Sequence, residues 1–179
     1  MSWQRHLGWV VALMLVGCTF GPAATTVPTL ATPAGAESTA DALRMAVEDD
    51  FPLEALSIRY AIGNEAWQGR TTLEITGSGP ILVTFDHRGQ HDEWSANLSK
   101  EAFLALCQLL VEHQVWDITG QRQTGIPDEV YPEITVQAEG REPLTVGMWH
   151  GEALEHAGFG AIMNELAGMA LEISNGKAR

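Results

Sequence analysis

Apolar and polar residues alternate over several short stretches of the chain, which is the pattern expected of half-buried β-strands. In the first half, the alternating apolar positions are Leu56, Ile58, Tyr60 and Ile62, then Leu73 and Ile75, then Ile81, Val83 and Phe85, then Trp94, Ala96 and Leu98. Short segments that contain glycine separate these stretches, and the connections are too brief for crossovers. The pattern therefore predicts four strands in an antiparallel meander.

The second half of the domain adds a hairpin and two helical stripes. Ile134, Val136 and Ala138 alternate before a turn at 139–142, and Leu144, Val146 and Met148 alternate after it. Helical spacing appears in Phe103, Leu106, Cys107, Leu110 and Val111, with Ser99 as N-cap, and again in Phe159, Ile162, Met163, Leu166, Ala170 and Ile173. We predict an α+β fold, with an antiparallel meander sheet of about six strands and two packed helices.

Two segments leave their structure open. Residues 41–48 fit a short helix capped by Thr39 or Asp41, but they also fit the end of an unstructured tether. Residues 151–158 read as a loop that has room for one helical turn, and 114–132 read as irregular chain leading into the later hairpin.

The start of the chain has the layout of an export signal. Arg5 is the one firm positive charge in residues 1–6, and residues 7–16 are then apolar except for Gly8. The apolar run is about half the roughly 20 residues that a membrane-spanning helix needs.

The run closes with Leu15, Val16, Gly17 and Cys18. This tetrapeptide resembles the lipobox of bacterial lipoproteins. The resemblance implies that the Cys18 thiol accepts a diacylglyceryl group and that a signal peptidase cuts between Gly17 and Cys18. Burial of the acyl chains in the membrane would contribute about 0.8 kcal/mol of binding free energy per methylene. The alternatives are a plain secretory peptide with an incidental cysteine, or a core helix.

These signals divide the chain into three parts. Residues 1–17 are the predicted signal peptide, 18–42 the lipidated cysteine and a disordered tether, and 43–179 a single domain. Alanine, threonine and proline dominate the tether, whose r.m.s. span as a flexible coil would be about 25 Å. Lipidation of Cys18 would leave Cys107 without a partner for a disulfide, as a buried, inert thiol.

Charge and the residue after the cysteine bear on partners and location. The formal net charge is −13, which argues against nucleic acid or anionic lipid as a partner of a basic surface. The expected contacts are the membrane, through the lipid on Cys18, and an envelope protein. Within the lipoprotein family, Thr19 in place of aspartate favours the outer membrane in a cell that has one. We predict a lipid-anchored protein of the bacterial cell envelope.

No convergent catalytic or metal-binding set is visible, and we predict no cofactor. His87 and His91 flank a turn with Gly89 between them and do not share a helix face. The segment with His150, Glu152 and His156 lacks the spacing of a zinc-protease helix. It remains the one place where a hydrolase-like site would be sought.

Trp67 is the best single candidate for a partner contact. It sits in a polar loop flanked by Gly63 and Gly69, where a large aromatic side chain is either an exposed anchor or folded back on the core. Trp94, Trp116 and Trp149 adjoin apolar residues and are expected to pack internally.

The layout from Leu56 to Ile173 is similar to uncharacterised domains of bacterial lipoproteins and to emfourin-type inhibitors of thermolysin-like proteases. The shared features are the glycine loop after the first strand, the helix with Phe103 and Leu106, and Pro127 and Asp128 ahead of a two-strand return. The loop reads Gly63-Asn64 where the family has a glycine pair, so no inhibitory residue is carried over. We expect a membrane-anchored, non-catalytic binding module. The alternatives are a protease inhibitor, in which the Trp67 loop or the loop at 127–132 would block the protease, and a hydrolase with a site near His150.

Overall fold

The computed structural model describes residues 37–64, 69–120 and 130–178. The strands are β1 (Leu56–Asn64), β2 (Gly69–Thr76), β3 (Pro80–His87), β4 (Gln90–Asn97), β5 (Glu133–Ala138) and β6 (Leu144–Gly147). The helices are α1 (Thr39–Val47), α2 (Lys100–Glu112), α3 (His150–Glu155) and α4 (Ala157–Ile173). Two single 3-10 turns, Leu53–Ala55 and Val115–Asp117, stand before β1 and after α2.

The six strands form one antiparallel sheet in the order β4-β3-β2-β1-β5-β6. The first four strands are the predicted meander, in which each strand pairs with the next. The later hairpin then adds on the other side of β1, where Ile58 is opposite Val136 and Tyr60 is opposite Ile134. The predicted α+β class and the count of about six strands are confirmed, but β1 is an interior strand of the sheet, not an edge.

One face of the sheet holds the core, and the other is polar and mostly exposed, although Ala61 and Thr72 are buried on it. The core residues of the strands are Leu56, Ile58, Tyr60, Leu73, Ile75, Ile81, Val83, Ile134, Val136 and Val146, all of them buried. Helix α4 packs against this face, and α1 packs against α2 and β5. On the opposite face, Arg59 pairs with Glu74 across two strands and Thr135 contacts Thr145, so this face is polar. This arrangement explains the period-two alternation, because one side of each strand belongs to the core and most of the other side is exposed.

Helix α1 begins at Thr39, and its N-cap is Ser38 instead of the predicted Thr39 or Asp41. The Ser38 hydroxyl accepts a hydrogen bond from the Asp41 backbone N–H at 3.1 Å, and the Asp41 carboxylate accepts one from the Ser38 N–H at 3.2 Å. This reciprocal capping box leaves Thr39 inside the first turn, where its hydroxyl bonds a different part of the molecule. The segment 41–48, for which the sequence allowed either a helix or the end of the tether, is therefore helical up to Val47.

The described residues contain four helices, where the sequence predicted two. Besides α1, the additional one is α3, which occupies most of the segment expected to be a loop. Its six residues bury only Ala153, so it carries no periodic apolar stripe that could reveal it. The predicted Ser99 cap of α2 is confirmed, because its hydroxyl accepts from the Ala102 N–H at 3.2 Å.

The two ends of the sheet differ in what surrounds them. At the Leu56 end lie the starts of β1 and β3, the ends of β4 and β5, and the amino terminus of α1, which reaches the β5–β6 turn at Glu142. At the Asn64 end lie the end of β1, the start of β2, the β3–β4 turn and the start of β5. These names, the Leu56 end and the Asn64 end, are used below.

Candidate functional site

A groove lies between α2 and α4, at the Leu56 end of the sheet. We call it the α2/α4 groove. Its volume is about 670 Å³, and its floor is formed by Ile81, Ala96 and Leu98, where β3 starts and β4 ends. The groove is open to solvent along its length, so a ligand could be laid into it from outside.

The α2 wall of the groove consists of Ala102, Ala105, Leu106 and Leu109. These positions are spaced i, i+3, i+4 and i+7, so they cover two turns of one helix face. This face lies beside the core stripe of α2, because Leu106 belongs to both. The two alanines keep this wall shallow, which leaves the space between the helices empty.

The α4 wall combines apolar and acidic side chains. Met169 and Ile173 are half-buried and extend the apolar lining, whereas Glu165 and Glu172 are exposed at the rim. The glutamates are seven residues apart on one helix face, which places their α-carbons about 10 Å apart along the axis. Helix α4 is positioned by Phe159, Ile162 and Leu166, which are buried against the sheet on its other side.

The charges around the α2/α4 groove are of one sign. Glu165 and Glu172 form no ion pair within the described chain, and the groove lining contains no lysine or arginine. Asn97 is the one other polar side chain of the lining. The groove therefore presents an apolar floor beneath two unneutralised carboxylates.

A second surface is formed at the Asn64 end, where the sequence placed its partner contacts. Trp67 itself lies outside the described residues, but β1 ends at Asn64 and β2 begins at Gly69, which fixes the roots of its loop. The start of β5 is at the same end, since Glu133 is opposite Ala61. The two segments proposed for protease contact, around Trp67 and 127–132, therefore enter the sheet at one end.

Aromatic rings cluster beside these loop roots. Phe85 and His87 stack with their centroids 5.9 Å apart, and Gly69 lies so close to the Phe85 ring that a side chain there would overlap it. Tyr131 and Trp149 meet edge to face at 5.4 Å. The Trp149 indole N–H is buried and has no acceptor among the described residues, and the ring as a whole is half-buried.

Trp94 and Trp116 pack internally, as predicted, since both are half-buried against the core. The Arg44 guanidinium lies over the Trp116 ring, 3.8 Å from its centroid, and thereby joins α1 to the turn after α2.

The histidines of the hydrolase hypothesis are not brought together in one cavity. His156 is the N-cap of α4, and its Nδ1 accepts the Phe159 N–H at 3.1 Å. It lines a shallow cleft of about 350 Å³ together with His113, Glu112 and Asp117, whereas His150 and Glu152 are not among the residues that line this cleft. The proximity of His113 was missed, because it follows from how α2 ends against the start of α4.

His87 and His91 flank the Arg88–Gly89 turn, as predicted. His91 Nδ1 lies 2.6 Å from a carboxylate oxygen of Asp86, and Glu93 lies on its other side at 3.8 Å. The hydrogen bond that His91 donates to the Asp86 carboxylate, together with the negative charge of Asp86, raises the pKa of His91, with a smaller contribution from Glu93. Across residues 37–64, 69–120 and 130–178, no group of His, Cys, Asp and Glu side chains has the geometry of a metal site.

Two buried groups have strongly displaced titrations. Burial raises the pKa of the Cys107 thiol to about 12, which agrees with its interpretation as an inert core residue. Burial also raises the pKa of Tyr60, whose hydroxyl lies in the core without a hydrogen-bond partner. Both side chains therefore stay neutral at physiological pH.

The predicted lipid attachment site, Cys18, and the cleavage position beside it, Gly17, lie outside the described residues. Among the helices that are described, none combines the length and the apolar character needed to cross a membrane. No protein-family model matches the sequence, and no curated protein matches it significantly. The features of this chain that bear on function are therefore the α2/α4 groove, the Asn64 end and the sequence of the first 18 residues.

Proposed function

We propose that this chain is an exported bacterial lipoprotein, anchored in the cell envelope through a lipid on Cys18, and that its folded part is a non-catalytic binding module. The α2/α4 groove is the observation that carries the binding proposal. Open apolar concavities of this size on an otherwise polar surface mark sites where a ligand or partner is bound.

The anchor is supported by the lipobox-like sequence Leu15-Val16-Gly17-Cys18 after the apolar run, and by Thr19 for the outer membrane where a cell has one. The fold is compatible with this attachment. The amino terminus of α1 is on the surface, with Glu37 and Ser38 exposed, and it is fixed to the β5–β6 turn. A tether that arrives here leaves the α2/α4 groove open, because the groove is at the opposite edge of the sheet, beside β4.

Site-specific photocrosslinking in the native cells tests both parts of the proposal. A photoreactive amino acid replaces Ala105 in the groove, and the matched control replaces Gln108, which is exposed on the same helix but does not line the groove. We expect a defined protein adduct from position 105 and none from position 108. Cys18→Ala should abolish lipidation, measured by incorporation of a labelled fatty acid, and should weaken the adduct.

Two results would contradict the proposal. Unchanged fatty-acid incorporation in the Cys18→Ala variant would remove the anchor. Equal labelling from positions 105 and 108, or none from either in abundant protein, would remove the groove as the binding surface.

A protease inhibitor of the emfourin type is a second candidate, favoured by the Asn64 end. Both loops proposed for protease contact enter the sheet there, so one protease surface could meet them together. Titration of a thermolysin-class protease with the protein should then give stoichiometric inhibition, which Trp67→Ala weakens by at least tenfold. Full protease activity at micromolar protein would exclude this candidate.

A further inference from the structure

We infer that the occupant of the α2/α4 groove is a basic amphipathic helix of a partner protein, an inference that rests on the proposed binding function. The shape of the groove is the first argument. Its walls are two helices, and each contributes lining residues over two turns or slightly more. A third helix of two to three turns matches this length and would place its own i, i+3, i+4 and i+7 residues against the floor.

The alanines of α2 define how such a helix fits. Packed helices approach to interaxial distances of 8–10 Å, with the smaller values where small side chains line the contact. Ala102 and Ala105 provide such a shallow wall, opposite the longer Met169 and Ile173. Leucine-sized side chains of the partner would fill the space above Ile81, Ala96 and Leu98.

The charges specify a basic partner. Glu165 and Glu172 stand at one rim, where they are exposed and form no ion pair within the described chain. Lysine or arginine residues seven positions apart on the partner helix would face both carboxylates in turn, since the two helices have the same rise per residue. An acidic or neutral helix would gain the apolar contacts alone. An acidic helix would also be repelled by this protein, whose formal net charge is −13.

Defined synthetic peptides test this inference with the full lipidated chain in detergent micelles. The probe is an 18-residue helical peptide with one leucine face and lysines at two positions seven apart on its flank. Its twin has glutamate at those two positions. We expect the basic peptide to bind at least tenfold more tightly than the acidic one by fluorescence anisotropy, with a preference that shrinks as salt rises.

Variants of the protein locate the binding. The double variant Glu165→Gln, Glu172→Gln should lower the affinity for the basic peptide by about three- to tenfold, as expected for loss of two exposed ion pairs. Ala105→Arg should weaken it further, because it fills the groove with a cation. The matched controls are Asn164→Gln on α4 and Gln108→Arg on α2, which are exposed positions outside the groove and should bind as the wild type does.

Several results would overturn the inference. Equal affinity for the two peptides, or binding unaffected by Ala105→Arg, would mean that the charges or the groove play no part. Dodecylamine that binds the groove as tightly as the peptide would identify a small cationic amphiphile as the better occupant. Absence of peptide binding, with crosslinks still formed from position 105 in cells, would reject the helix while leaving the proposed binding function intact.

Discussion

The Thr39 hydroxyl donates a 2.6 Å hydrogen bond to the backbone carbonyl of Glu142, 103 residues further along the chain. Thr39 is almost fully buried, whereas Glu142 is exposed, so the bond is partly buried. It fixes the first turn of α1 to the β5–β6 turn, and thereby joins the start of the described domain to one edge of the sheet.

Replacement of this hydroxyl tests how far α1 belongs to the folded domain. Thr39→Val keeps the shape but leaves the Glu142 carbonyl without its donor, so the free energy of unfolding should fall by about 1–2 kcal/mol. Urea unfolding followed by circular dichroism measures the change. Thr145→Val, at an exposed position of β6, is the matched control and should stay within about 0.5 kcal/mol of wild type. Equal stability of the two variants would show that α1 is not coupled to the sheet.

The contact between Arg44 and Trp116 should also be measurable. A guanidinium above an indole contributes about 0.5–1 kcal/mol at a partly exposed site. A double-mutant cycle with Arg44→Gln and Trp116→Leu should return a coupling energy in this range. The cycle separates the ring contact from the ion pair between Arg44 and Asp41, which is intact in the Trp116→Leu single variant. Strict additivity of the two single effects would contradict the contact.

His91 should make stability depend on pH in a defined direction. Because Asp86 raises the pKa of His91 in the folded state, its stabilising effect is fully present below the ordinary value of 6.5 and is lost as pH rises through the raised pKa. An NMR titration of the His91 ring should show a midpoint above 6.5, and Asp86→Asn should move it down. A wild-type midpoint at or below 6.5 would contradict the ion pair.

Cys107 should react only after unfolding. It is completely buried, and burial raises its pKa to about 12. In the folded state a reagent therefore cannot reach the thiol, and the reactive thiolate does not form. In a Cys18→Ala background, modification by a disulfide reagent at pH 8 should be at least a thousandfold slower in buffer than in 6 M urea, because an ordinary domain is stable by about 5 kcal/mol or more. Comparable rates in the two solvents would place the thiol on the surface.

The strands were well predicted from the sequence, because a half-buried strand alternates apolar residues on its core side with polar residues on its exposed side. Ile58 and Tyr60 are buried with a polar residue between them, and the same period marks Ile134 and Val136. The pairing of β1 with β5 was not predicted. Residues 65–132, which are 68 residues, lie between these strands. Alternation alone says which face is buried but not which strand lies beside it.

Short helices and the groove were the harder features. Helix α3 is too short to show a stripe, and the Ser38 cap stands one position before those considered. The α2/α4 groove could not be foreseen, since Ala102 and Ala105 are unremarkable in a helix and gain meaning only from the distance to Met169 and Ile173. Trp67 and Cys18 remain predictions, since both lie outside the described residues.

The position of α1 at the Leu56 end determines how far the domain extends from its attachment point. Strand β1 has nine residues, so its two ends are about 30 Å apart. With a lipid on Cys18, the Asn64 end would be the part of the molecule furthest from the attachment point, and a fully stretched chain from Cys18 to Ser38 could add roughly 70 Å. Loops at that end could then contact partners up to about 100 Å from the membrane. The groove beside β4 would lie closer to the membrane surface.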